Sequence, residues 1–253
     1  MISVYYTYKN RDIPEDDWER GINLLPDFIS EKCRRYIQKK DRDNALLGKL
    51  LLLYALMEHG YSKDALMSLS YDGYGKPHMD FPIEFSITHS GCHVLLAYSD
   101  TDKVGIDVET ILPIDLNDFE KVLTKEEWQY IMTTHLKADL FYKIWTIKES
   151  VLKAHGNGLS IPLKEVRIHA FDSGNAYSTC NSCQQNDVFT ASLFDRIWYL
   201  KELQLTPEAK CHLAFRRFVI KNIYSKPPTS DTDIPNFHIF KINPQNLIRN
   251  LWK

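Results

Sequence analysis

The sequence predicts an α+β fold in two halves, 1–103 and 104–253, with 225–253 as a C-terminal extension of the second. Three observations predict it. Runs of β-branched and aromatic residues recur along the chain. Two segments, 41–60 and 139–155, carry apolar residues at helical spacing instead. Finally, Cys92-His93-Val94-Leu95-Leu96-Ala97-Tyr98 echoes Cys211-His212-Leu213-Ala214-Phe215, which suggests that the two halves are alike and divide near residue 103.

Each element has a local cause. Residues 2–8 are aromatic and β-branched and read as a strand. Residues 17–42 read as helical, with Ser30 and Glu31 opening a second part. In 41–60, Ala45, Leu46, Lys49, Leu50, Leu53, Tyr54 and Met57 recur at three and four until Gly60 stops the helix. Tyr71-Asp72-Gly73-Tyr74-Gly75-Lys76-Pro77 is turn chemistry. Strands follow at 84–89, 93–99 and 104–109, the first two joined around Ser90-Gly91. Thr124, with Glu127 three residues on, marks a helix start. The helix of 139–155 ends at Gly156. Strands are expected at 166–170, 188–193, 197–205 and 210–218. A polar loop is expected at 175–187, a mobile Pro/Ser/Thr/Asp-rich connection at 226–235, and a strand plus short helix at 237–252.

Composition narrows the function classes. Hydrophobic residues make up 44% and charged residues 25% of 253, with a net charge of −2. That is ordinary globular composition with no bias toward nucleic acid or an anionic membrane. The first residues lack the pattern of a signal peptide. The longest apolar run, 45–57, is too short to span a bilayer and is broken by Gly48 and Lys49. A cytoplasmic protein is expected. The five cysteines are scattered, and Cys180 and Cys183 form the one close pair. Without a second pair or matched histidines they read as free thiols rather than a zinc site.

Two stretches carry chemistry. In Val104-Gly105-Ile106-Asp107-Val108-Glu109, strand alternation puts Asp107 and Glu109 on one face and Ile106 and Val108 on the other. Two carboxylates so placed repel unless a cation sits between them, and Mg²⁺ accepts such hard oxygen donors. The plainer alternative is an exposed strand face. In Trp145-Thr146-Ile147-Lys148-Glu149-Ser150-Val151-Leu152-Lys153, Glu149 and Lys153 are four apart and share a helix face. Here the plainer alternative is a solvent-facing Glu–Lys pair, worth about 0.3–0.5 kcal/mol. A dinucleotide-binding reading fails because Gly105 stands alone and Gly156-x-Gly158 follows a helix instead of opening one.

Taken in order, Gly75-Lys76-Pro77, Phe85-Ser86-Ile87-Thr88-His89-Ser90-Gly91, Val104–Glu109, Phe141-Tyr142-x-Ile144-Trp145-Thr146-Ile147-Lys148-Glu149-Ser150 and Lys153-Ala154-His155-Gly156-x-Gly158-Leu159-Ser160 closely resemble the 4′-phosphopantetheinyl transferases. The resemblance is to the larger single-chain type, typified by the surfactin synthetase activator. The motifs span 75–160, with matching context over about 30–215.

The resemblance implies a pseudo-dimer of two similar α/β halves with the active site at their interface. It implies transfer of the 4′-phosphopantetheine arm of coenzyme A, the co-substrate, to a serine of an apo acyl or peptidyl carrier protein, with release of adenosine 3′,5′-bisphosphate. Asp107, Glu109 and Glu149 would hold Mg²⁺, with Mn²⁺ as the alternative. Glu149, a metal-bound water, or a free oxygen of Asp107 or Glu109 would take the serine proton. Lys153 would contact the pyrophosphate. Lys76, Thr88, His89, Arg42, Lys40 and Lys32 would bind the nucleotide end. Asn44 and Ala45 depart from the family's usual Arg and hydroxyl residue, and Asn157 from its usual Lys. The carrier would be gripped after the Gly-x-Gly turn, over 159–183. The resemblance further implies a monomer that binds neither nucleic acid nor membrane. A degenerate member serving only as a carrier-binding module would have lost an acid or the lysine, and all four are present.

Overall fold

A computed structural model of the chain describes residues 1–169, 188–217 and 235–252. The expected 175–187 loop, the Cys180–Cys183 pair and nearly all of the 226–235 connection lie outside the described residues. The chain divides into two compact units. The first contains Met1–Asp72, Pro77–Thr101 and the described residues after 234; the second contains Gly73–Lys76 and the described residues from Asp102 to the last strand before 218. Both units mix helix and sheet, the α+β class expected.

In the first unit the opening strand β1 (Ile2–Tyr8) is followed by α1 (Glu15–Ile22), α2 (Asp27–Arg34) and α3 (Lys39–Glu58). The continuous helical stretch expected over 17–42 is therefore two helices. Pro26 sits extended at the N-cap of α2 (φ −52°, ψ 148°), and a proline there cannot continue a helix arriving from before it. Ser30 and Glu31 lie inside α2 and open nothing. A short hairpin, β2 (Ser70–Tyr71) and β3 (Pro77–His78), precedes β4 (Glu84–Ser90) and β5 (His93–Ser99). Seven leucines of α3 (Leu46, Leu47, Leu50, Leu51, Leu52, Leu53, Leu56) are wholly buried, each contributing about 1.5–3 kcal/mol. Gly48 faces the sheet, where a Cβ would come to 2.9 Å from Ile87.

The second unit begins with β6 (Asp102–Thr110) and continues through α4 (Lys125–Thr133) and α5 (Lys137–His155) to β7 (Val166–Ile168), β8 (Val188–Leu193), β9 (Arg196–Glu202) and β10 (Ala209–Arg217). Its sheet runs β6-β10-β9-β8-β7, antiparallel throughout. α4 starts with the expected capping box: Glu127 N donates to Thr124 Oγ1 and Thr124 N to Glu127 Oε2. α5 ends at Gly156, whose φ of +109° needs no Cβ to be accommodated.

The terminal elements β11 (Phe237–Lys241) and α6 (Pro244–Trp252) pack in the first unit, not with the C-terminal half as expected. The four-stranded sheet there is ordered β11-β1-β5-β4, with β11 parallel to β1. Leu247, Ile248 and Leu251 of α6 are buried in that unit's core. Parallel pairing needs a long crossover, which sequence spacing alone does not assign to a partner strand.

Candidate active site

β6 and α5 position the acidic residues. Alternation along β6 buries Ile106 and Val108 at 0% exposure and puts Asp107 and Glu109 on the opposite face. The register pairs His212 with Asp107 and Lys210 with Glu109 across to β10. α5 lies against the strand at Gly105, where a Cβ would overlap the Ser150 carbonyl oxygen and the Ala154 nitrogen. A lone glycine in a strand is the sequence signal of such an approach. The sequence reading treats Gly105 only as a phosphate-loop residue, and the structure assigns it this close approach.

That approach makes one decisive contact. Lys153 Nζ lies 2.6 Å from Asp107 Oδ1, with the lysine side chain 30% exposed and the aspartate 4%. Lys153 thus reaches across to the strand while it also acts on Glu149, so the two are not merely a solvent-facing pair. Glu149 is partly buried, and its carboxyl is pushed up to about 7, first by burial and then by the charge of Asp107; Lys153 opposes the shift and Glu109 adds to it. The three carboxylates therefore feel one another. Carboxylates that act on one another in this way are hard oxygen donors of the kind a divalent cation takes. Among the described residues, no group of three His, Cys, Asp or Glu side chains is placed so that it could hold a metal ion.

Two further basic groups lie at the end of α5. Lys76 Nζ donates to the Ala154 carbonyl oxygen at 3.5 Å. His155 has its imidazole pKa lowered by burial and by Arg196, Lys103 and Lys76. The sequence singled out Lys76 but gave His155 no role.

The remaining expected residues lie in the first unit. Thr88 is 5% exposed and His89 exposed, both on β4. Arg42 pairs with Glu15 at 2.8 Å and its guanidinium lies 4.2 Å from the Trp18 ring. Lys32 Nζ stands 3.7 Å from the centre of the Tyr71 ring, and Lys40 is exposed. Asn44 donates through Nδ2 to the Gly91 carbonyl and ties α3 to the β4–β5 turn.

Lys148, inside the Trp145–Lys153 motif, is not a site residue. It is wholly buried, 2.7 Å from Glu127, and donates to the carbonyls of Leu163 and Val166. Cys33 and Cys211 are buried free thiols, and no described helix is long and apolar enough to cross a membrane.

Residues 103–206 match the family model "4′-phosphopantetheinyl transferase superfamily". Among known proteins the chain is 33% identical to the 4′-phosphopantetheinyl transferase ffp of Bacillus subtilis, over 68% of this chain and 79% of that one. It is also 33% identical to 4′-phosphopantetheinyl transferase Sfp of Bacillus subtilis strain 168, over 66% and 77% respectively. Identity to 4′-phosphopantetheinyl transferase gsp of Aneurinibacillus migulanus is 32%, over 72% and 79%. The matched residues contain β6 with Asp107 and Glu109 and α5 with Glu149 and Lys153. The chain belongs to the 4′-phosphopantetheinyl transferase superfamily and is an enzyme of that class.

Proposed function

We propose that the protein moves the 4′-phosphopantetheine group of coenzyme A to a serine of an apo acyl or peptidyl carrier protein and releases adenosine 3′,5′-bisphosphate. The observation that carries this reading is the Asp107–Lys153 pair beside Glu149, whose carboxyl titrates near 7. A carboxyl with that affinity for protons suits general-base work at neutral pH.

Asp107, Glu109 and Glu149 would hold Mg²⁺ or Mn²⁺, which supplies charge neutralisation of the pyrophosphate when bound. The rest falls to the chain. The serine hydroxyl oxygen attacks the phosphorus that bears the pantetheine arm. A carboxylate, Glu149 or a free oxygen of Asp107 or Glu109, takes the hydroxyl proton. The phosphorus–oxygen bond to the adenosine phosphate breaks, and the departing phosphate leaves with that electron pair. Lys153, held by Asp107, meets the negative charge that builds on it. Lys76, Lys32, Lys40, Arg42, Thr88 and His89 are assigned to the nucleotide end. Lys76 must keep its reach, and Arg42 must leave Glu15, to serve there.

The pseudo-dimer, with the site at the interface of the two halves, belongs to the same proposal, as does a cytoplasmic monomer. In its favour, each unit pairs its opening strand with a strand carrying the Cys-His echo, β1 with β5 and β6 with β10. The test is direct. The purified protein is incubated with coenzyme A, Mg²⁺ and several apo carrier domains, and the carriers are weighed. A mass gain of one phosphopantetheine arm, lost with chelator, is expected. No gain on any carrier would overturn the reading.

A further inference from the structure

The loop between β8 and β9 has only two residues, Phe194 and Asp195, with Leu193 paired to Arg196 across it. Phe194 has φ of +53° and is the one non-glycine residue with positive φ among the described residues. Tight hairpins place glycine at such a position. A bulky L-residue there is strained. Burial of the ring does not offset it, because Phe194 is 61% exposed. A strained backbone that displays an apolar ring to solvent lowers stability twice, unless a partner covers the ring.

The tip is fixed relative to the catalytic helix. The Phe194 ring meets the His155 imidazole edge-on, with centroids 6.1 Å apart, and His155 in turn lies 6.4 Å from the buried Trp198 ring. His155 is the last residue of α5, two beyond Lys153. The surroundings are basic: Arg196, Lys103 and Lys76 all act on the His155 imidazole. Among the described residues Arg196 has no carboxylate partner, and Asp195 is the one acid in the loop. The surface therefore sets an exposed aromatic ring next to the basic side chain of Arg196.

We propose that Phe194 and Arg196 form a docking contact for the carrier protein, met by an acidic helix that lays an apolar side chain on the Phe194 ring. This rests on the reading above that the acceptor is a carrier protein. Charge complementarity selects an acidic partner, and an aromatic anchor beside a basic residue is the usual composition of an energetic contact.

The experiment compares the full chain with Phe194→Asp, Phe194→Gly and Arg196→Glu, by steady-state kinetics and by calorimetric titration with the apo carrier. Each variant is expected to raise KM and Kd for the carrier about tenfold or more, with KM for coenzyme A and kcat within about twofold. Phe194→Gly is expected to keep or raise Tm, because it relieves the turn while removing the knob. Unchanged carrier affinity in Phe194→Asp and Arg196→Glu would overturn the proposal. So would an equal rise in KM for coenzyme A, which would place the ring at the nucleotide. A wild-type dimer that Phe194→Asp splits without altering carrier affinity would assign the patch to a second copy and also overturn it. Carrier binding that the variants weaken, without any transfer by the wild type, would support the contact while sinking the activity. No binding to any carrier would sink both.

Discussion

Gly105 and Ser150 meet backbone to backbone: a single added carbon on Gly105 would overlap the Ser150 carbonyl oxygen. This contact brings β6 close enough to α5 for Lys153 to reach Asp107. Gly105→Ala is expected to force strand and helix apart, because the obstacle is main chain and cannot rotate away. The cost is about 3 kcal/mol of stability or more, with turnover falling further than the stability loss explains. Urea unfolding alongside kcat would measure both. A midpoint within about 0.2 M of wild type would show that the approach is looser than described.

How much of this was legible in the sequence follows from which interactions are local. Helix stops, the Thr124–Glu127 capping box and the Asp107/Glu109 alternation depend on residues within four positions, and the structure has them where spacing put them. The partner of Lys153 is not local. Helical spacing offered Glu149, but the strand 46 positions away supplied Asp107. The same holds for β11: its residues read as a strand, while its place beside β1 depends on a crossover that leaves no periodic signal. Pro26 is a local signal too, and it is what divides the helical stretch into two. Phe194 could not be found by pattern, since nothing in the string Leu193-Phe194-Asp195-Arg196 announces a positive φ at an aromatic residue.

Lys148 and Glu127 form a buried ion pair at 2.7 Å, with side chains 0% and 3% exposed. Burial lowers the lysine's pKa, and Glu127 opposes the shift. Removing one partner strands the other charge in the core, so Lys148→Met is expected to cost about 3–5 kcal/mol. Glu127 also closes the N-terminus of α4, so the loss falls partly on that helix. The double variant Lys148→Met/Glu127→Leu is expected to recover much of the loss, and kcat of the folded enzyme is expected to change less than threefold, "threefold" being about 0.7 kcal/mol. Thermal unfolding and turnover of the three variants decide this. A kcat collapse in a fully folded Lys148→Met protein would move Lys148 into the site.

Glu149 makes stability depend on pH in a direction opposite to that of an ordinary carboxylate. Its folded carboxyl is raised from 4.5 to about 7. Between those values the folded state holds a proton that the unfolded chain has released, so stability falls as pH rises through that window. Below about 4.5 both states are protonated and the effect vanishes; above about 7 the full loss is present. In metal-free protein, Glu149→Gln is therefore expected to be more stable than wild type at pH 8, by up to about 3 kcal/mol, and equal to it near pH 4. A divalent cation held by Asp107, Glu109 and Glu149 favours the ionised carboxyl and acts against the same loss. Mg²⁺ is thus expected to raise the wild-type Tm more at pH 8 than at pH 5.5, and to raise that of Glu149→Gln far less at either. Thermal unfolding with chelator and with Mg²⁺ at the two pH values supplies the comparison. An equal Mg²⁺ response in wild type and Glu149→Gln would remove Glu149 from the cation site, and a flat metal-free profile would remove the carboxylate repulsion on which that site is argued.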